Sequence, residues 1–388
     1  KPFEGINGSG KHDNWSMSTD TGANLLEPGE TPSENAQFLL FLVAVIKAVD
    51  LHQDLLRYSA ASAGNDHRLG ANEAPPAIMS MFLGDELTDI LLSLEQHKAY
   101  VPGEKTQMNI GVKTLPPIPK DTTDRNRTSP FAFTGNKFEF RSVGANMSIA
   151  AASTVINTIV ADVLQEFADQ LEAAPDLREA VEQIVVDTIT NHKRIIFNGN
   201  NYAQAWREEA KKRGLLELPT TPDAVPYLLD EKNIALFERQ RVYTREEVHS
   251  RYDMALENYC KKIAIEGHTL LEMTDKQIIP AIITYSRNIA VAANEKRAFL
   301  KDIDLSCEEK RLRRLTELLN GISVMNEEMD GLLSHVPQDV EILEKALYFR
   351  DKVFSLMQKM RTLIDEAETL VEKSVWPFPD YGDLLITK

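Results

Sequence analysis

The chain has 388 residues, 43% of them hydrophobic and 26% charged, with a formal net charge of −16. This composition suits a soluble globular protein of about two domains, and the acidic excess argues against general nucleic-acid binding, because polyphosphate is repelled. The longest apolar run, Phe38 to Ile46, is too short for a membrane span of roughly 20 residues, and no signal-peptide pattern opens the chain. The two cysteines, Cys260 and Cys307, lack metal-type spacing and fit a reducing cytoplasm.

In chain order, residues 1–144 are rich in Gly, Pro, Asn and Ser. Thr31-Pro32-Ser33-Glu34 reads as a capping box opening a first helix that runs to about Ser59. A second helix is expected after Pro75-Pro76, ending near Gln96. Residues 97–135 carry Pro102, Pro116, Pro117, Pro119 and Pro130 and read as one long irregular stretch, functional or mobile. Lys137 to Arg141 alternates as a strand, with Phe138 and Phe140 on one face and Lys137, Glu139 and Arg141 on the other.

Residues 145–388 read as nearly all helix, with a domain seam at Pro175. Capping boxes at Thr244-x-x-Glu247, Thr274-x-x-Gln277 and Ser306-x-x-Glu309 predict helices over 245–272, 275–303 and 307–334, and a last one covers 339–373. Leu315, Leu318, Ile322, Met325, Met329 and Leu332 form an apolar stripe, read as bundle core.

Three segments carry chemistry. Lys1-Pro2-Phe3-Glu4-Gly5-Ile6-Asn7-Gly8-Ser9-Gly10-Lys11-His12 places a potential metal ligand, His12, directly after small residues that let backbone approach a ligand. Gly10-Lys11 is not a Walker loop, because its upstream glycine and following hydroxyl are missing. His67-Arg68-Leu69-Gly70-Ala71-Asn72-Glu73-Ala74-Pro75 is a glycine turn bearing charges, and Asn126-Arg127 precedes the strand with Glu139 and Arg141. Read bare, each is also compatible with a solvated turn or a half-exposed strand.

Together these segments resemble the glutamine synthetases, and the block from Asn126 to Arg141 is similar to that of the large type III enzymes. The first segment matches every fixed position of that family's ATP signature: Lys-Pro, a spacer, Asn-Gly-Ser-Gly, any residue, His, three residues, Ser. The resemblance implies an α+β, predominantly helical fold: a partial catalytic sheet or barrel over 1–174, then a long-helix bundle over 175–388. It implies metal ligation by His12 and Glu139, and an ATP side bearing Ser16, Asn14 and Lys137, Asn14 standing where many relatives carry a second histidine. It implies substrate binding by Asn7, Gly8, Arg68, Arg127 and Arg141, with Glu73, Arg127 and Arg141 catalytic and Glu73 taking a proton from ammonium.

The implied reaction joins ammonia to L-glutamate through γ-glutamyl phosphate, with ATP and Mg²⁺ or Mn²⁺ as cofactors, in a cytoplasmic ring-type homo-oligomer, a dodecamer. No nucleic acid or membrane partner is expected. Rival readings are a glutamate ligase using a larger amine, and a non-catalytic helical scaffold. The same resemblance predicts that further metal-binding carboxylates precede Lys1, so that residues 1–388 alone would not make glutamine.

Overall fold

The computed structural model describes residues 10–71, 74–98, 100, 107–108, 118–119 and 128–385. It has two compact units, dividing between Tyr252 and Asp253. The fold is α+β and predominantly helical. Among the described residues no helix is long and apolar enough to cross a membrane.

The first unit contains a sheet of four short strands in the order β1 (Asp13–Trp15), β6 (Phe138–Phe140), β5 (Phe131–Phe133), β2 (Met81–Phe82). β1 and β5 run antiparallel to β6, and β2 parallel to β5. Strands β3 (Gln107–Met108) and β4 (Ile118–Pro119) pair with each other. In register, Asn14 and Ala132 lie opposite Glu139, while Trp15 and Phe133 lie opposite Phe138. Opposed residues share a face, so the sheet sorts its side chains. Phe131, Phe138 and Phe140 are fully buried on one side, with Phe131 stacked 5.0 Å from Phe138. Burying each such ring contributes roughly 1.5–3 kcal/mol.

Helix α5 (Ala150–Ala173) covers that apolar side and meets its two polar atoms: Ser153 Oγ donates to Asp13 Oδ2 at 3.1 Å, and Trp15 Nε1 donates to Asn157 Oδ1 at 2.8 Å. The Lys137–Arg141 strand is thus present, trimmed to Phe138–Phe140 and with the alternation expected. β5 falls inside the stretch read as irregular, because Phe131-Ala132-Phe133, followed by a turn with Gly135 at φ +88°, forms a hairpin with β6.

The first helix differs from its expected course. Thr31 makes no capping hydrogen bond; a 3₁₀ turn spans Pro32–Glu34, and Asn35 caps α1 (Ala36–Leu51) by accepting from Phe38 N at 3.0 Å. The chain breaks at His52 before α2 (Gln53–Ser59) and α3 (Ala63–Asp66). After Pro75-Pro76 comes β2, not helix, and α4 (Asp85–Glu95) starts only beyond Gly84. α1 is apolar nearly all round because both α5 and α6 (Leu177–His192) pack on it. Pro175 does sit in the turn between those two helices, but both share the α1 core.

The remaining first-unit elements are α7 (Gln204–Lys212), α8 (Thr221–Ala224), α9 (Glu231–Arg239) and the start of α10 (Arg245–Met273). Their loops extend the sheet edge. Phe197 N donates to Met81 O at 2.8 Å, and Leu218 N to Ala77 O at 3.1 Å. A buried network locks residues 218–221 to α2 and α3. Arg57 Nε donates to Leu218 O at 2.7 Å, Thr221 N donates to Asp66 Oδ2 at 2.7 Å, and Arg57 Nη2 lies 3.4 Å from Asp66 Oδ1.

The second unit holds most of α10, α11 (Ile279–Phe299), α12 (Ser306–Ser334), α13 (Ile342–Tyr348), α14 (Ser355–Leu370) and α15 (Tyr381–Leu385). Thr244 and Glu247 form the predicted box at 2.8 and 3.3 Å. The expected break at Thr274 is instead a π turn, Thr274–Ile278, inside continuous helix; the register shift accommodates Pro280, which has no N–H to donate. Ser306 does not cap α12, because Asp304 Oδ1 accepts from Ser306 N at 2.9 Å and takes that part. Leu315, Leu318, Ile322 and Met329 are fully buried as the stripe requires, while Met325 and Leu332 are half-buried.

Candidate active site

The second face of the sheet, opposite α5, gathers charge. The hairpin register puts Asn14, Glu139 and Ala132 on it, and alternation along β6 adds Lys137 and Arg141 at its two ends. His12 enters just before β1 because the chain is zipped to the β6 exit: Gly10 bridges Gly144, and Lys11 N donates to Val143 O at 2.9 Å.

Glu139 is the centre of this cluster. Its Oε2 accepts from Arg141 Nε at 2.8 Å and Nη2 at 2.6 Å, and its Oε1 lies 3.4 Å from His12 Nδ1. Burial alone would push the Glu139 carboxyl up, but the Arg141 hydrogen bonds and charge, with His12 adding, hold it below the usual carboxylate range. The carboxylate is therefore anionic at neutral pH. His12 is 53% exposed and Glu139 18%, so the gap between them opens to solvent. Two ligands at right angles on a Mg²⁺-sized ion sit about 3 Å apart, from metal–oxygen distances near 2.1 Å. The His12–Glu139 pair fits such an ion as two of its donors. Among the described residues no group of three or more His, Cys, Asp or Glu could hold a metal.

The other anticipated residues fall as follows. Arg141 is buried, with its side chain on Glu139. Arg68 is also buried, behind the strand exit. Its Nη2 donates to Arg141 O at 3.1 Å, and its Nη1 to Asn65 Oδ1 at 3.2 Å and Ser142 O at 3.3 Å. Its terminal nitrogens are thus committed to the chain that carries Arg141. Gly10 makes room for them: a Cβ there would lie 2.1 Å from Arg68 Nη2. Asn14 Nδ2 donates to His12 O at 3.2 Å, bracing its own turn, and Ser16 Oγ donates to Asn24 Oδ1 at 2.6 Å and Asn136 O at 3.2 Å, tying β1's exit to the β5–β6 turn. Gly70, at φ +76°, donates to Pro75 O at 3.0 Å and closes the base of the 70–75 loop. Asn7, Gly8, Glu73 and Arg127 lie outside the described residues.

A further segment docks on the same sheet. Ile196 bridges Met81 and Phe197 bonds to it, so the segment Phe197-Asn198-Gly199-Asn200-Asn201-Tyr202 packs at the sheet edge. Its only sequence signal was a cluster of Asn and Gly after an apolar run, which marks a loop without revealing where the loop docks.

The comparisons bear on the whole chain. Residues 180–297 match the glutamine synthetase C-terminal domain family. All of the chain aligns with a type-3 glutamine synthetase of Dictyostelium discoideum, 42% identical over 395 residues and covering 54% of that protein. It aligns likewise with a glutamine synthetase of Butyrivibrio fibrisolvens, 43% identical over 400 residues, covering 55% of it. The chain is thus similar along its whole length to glutamine synthetases. A glutamine synthetase of Bacteroides fragilis (strain YCH46) aligns at 38% over 399 residues, again with 55% of it covered. The chain spans about half the length of these relatives. The domain match takes in residues 197–202, so this segment lies within the matched region.

Proposed function

We propose that the full-length protein carrying this chain ligates ammonia to L-glutamate, with ATP hydrolysis and a γ-glutamyl phosphate intermediate. The observation that carries the reading is the His12–Glu139–Arg141 cluster on the open sheet face, in a chain similar throughout to glutamine synthetases. Such a reaction moves a phosphoryl group onto a carboxylate and then displaces it with an amine. It needs fixed positive charge where negative charge develops. Arg141 supplies it, held in place by Glu139. Arg127 is assigned to the same end of the reaction, Lys137 to the nucleotide, and Glu73 to accepting the proton that ammonium loses. His12 and Glu139 would hold Mg²⁺ or Mn²⁺, which when bound neutralises phosphate oxygens of ATP. Asn14 and Ser16 are assigned to the nucleotide side, and Asn7 and Gly8 to glutamate.

Arg68 is assigned to a glutamate carboxylate through its place in the motif. Its hydrogen bonds to Arg141 O and Ser142 O support an additional role, fixing the backbone that presents Arg141. The division 1–174 catalytic, 175–388 helical, a cytoplasmic location and a ring-type dodecamer complete the proposal.

The test is ATP-dependent glutamine formation by the full-length protein with Mg²⁺ or Mn²⁺, beside Arg141→Gln. Loss of roughly 10²–10³ in turnover in the variant supports the reading. No glutamine from the wild-type protein, or unchanged turnover in the variant, overturns it.

A further inference from the structure

The segment 197–202 is built as a rigid shelf. The Phe197 ring stacks on Trp206 at 3.7 Å between centroids, and Arg213 lies over both rings. Asn198 Oδ1 accepts from Leu83 N and Gly84 N at 3.2 Å each, and its Nδ2 donates to Thr88 Oγ1 at 2.8 Å. Gly199 is required by close packing, since a Cβ there would meet the Phe197 ring at 2.6 Å. Asn201 is fully buried and ties together the segments that lead into β2 and β5. Its backbone N and Nδ2 donate to Thr128 Oγ1 at 2.9 and 3.3 Å, and its Oδ1 accepts from Ser80 Oγ at 2.7 Å.

Thr128 lies two residues before Pro130, whose carbonyl accepts from Arg141 N at 2.8 Å. The shelf is thus bolted to the end of the hairpin that carries Arg141, and the next residue along it is Tyr202. Every neighbour holding the shelf is spent on structure, yet Tyr202 itself is 42% exposed. Among the described residues its hydroxyl takes no hydrogen-bond partner. A half-exposed tyrosine on a rigid mount offers its hydroxyl to a ligand.

From this geometry we infer that Tyr202 contacts the acidic substrate, its hydroxyl donating to the carboxylate, or the acyl phosphate formed from it, held by Arg141. This rests on the ligase reading above. Burial raises the Tyr202 hydroxyl's pKa and the nearby Arg141 and Arg68 charges pull it partly back, so the group stays protonated and able to donate at neutral pH. The helical half of the chain then supplies a specificity residue to the site on the sheet.

The test uses the full-length protein with Tyr202→Phe, which removes only the hydroxyl. Kinetics are measured separately for glutamate and for ATP, and thermal melting is followed beside them. A fall of roughly 10- to 100-fold in kcat/KM for glutamate, the worth of one hydrogen bond to a charged group, supports the inference if the KM for ATP and the melting temperature stay put. Glutamate kinetics within about twofold of wild type overturn it. Equal losses toward both substrates, or a lowered melting temperature without a kinetic split, make Tyr202 structural and also overturn it. A wild-type protein that forms no glutamine sinks the ligase reading and this inference together, an outcome distinct from an active wild type with an indifferent variant.

Discussion

Asp66 offers a sharp test of the buried network that fastens residues 218–221 to α2 and α3. Its carboxylate is 1% exposed and faces the equally buried Arg57, at 3.4 Å, and both Thr221 donors, at 2.7 and 2.9 Å. Two effects oppose each other. Burial destabilises the anion, while Arg57 and Thr221 stabilise it. Burial wins, pushing the Asp66 carboxyl from 3.8 up to about 6. A folded-state value above the unfolded one means that protonation favours the fold. The contribution is full below the unfolded value of about 3.8 and is lost as pH rises through about 6.

Between pH 8 and pH 5 a carboxyl with these two values adds about 1.4 kcal/mol to stability, one decade of linkage at 1.36 kcal/mol. Asp66→Asn keeps the shape and cannot titrate. Its penalty relative to wild type should therefore grow by about 1.4 kcal/mol from pH 8 to pH 5. Urea unfolding of both full-length proteins at matched pH measures the difference, in which every other titrating group cancels. A penalty that is flat, or that shrinks as pH falls, would mean that the Arg57 pair outweighs burial and that the reasoning is wrong.

Other expectations follow from the same physics. Glu139→Gln in the full-length protein should weaken Mn²⁺ binding by roughly 10- to 100-fold, read by calorimetry, since it leaves His12 without its anionic partner donor. Glu73→Gln should lower turnover by roughly 10²–10⁴, the usual worth of a positioned base, with ATP binding little changed; intact turnover would remove Glu73 from that role. Gly10→Ala drives a Cβ into Arg68 Nη2, and should destabilise the protein by about 1–3 kcal/mol in thermal melts, because the guanidinium must leave its carbonyls. Trp206→Ala removes a buried ring stacked on Phe197, and should cost about 3–5 kcal/mol.

Much of the cluster could be read in advance because it is local. Glu139 and Arg141 are two residues apart on one alternating strand, so a single period-2 pattern sorts them from Phe138 and Phe140. His12 lies on a segment whose turn residues are themselves the motif. The Thr244–Glu247 cap and the α12 stripe were equally local. The other capping boxes misled because the pattern does not say which side chain wins: Asn35 and Asp304 took the caps expected of Thr31 and Ser306. Thr274 sits in a helix that runs through, where Pro280 is absorbed by a π turn.

What the sequence determined alone was chemistry at short range: residue types, strand alternation, cap candidates and an order of motifs that resembles the glutamine synthetases. What only the tertiary structure decided was company at long range. Nothing in the sequence says that Arg68 turns its nitrogens onto the carbonyls of Arg141 and Ser142. Nothing says that α6 shares the α1 core with α5 across Pro175, or that Asn201 reaches Thr128 and Ser80 and so mounts Tyr202 beside the charged cluster. The physical reason is that backbone periodicity and capping act over a few residues. Which distant buried donor meets which acceptor is fixed only when the whole core closes and every desolvated polar atom seeks a partner.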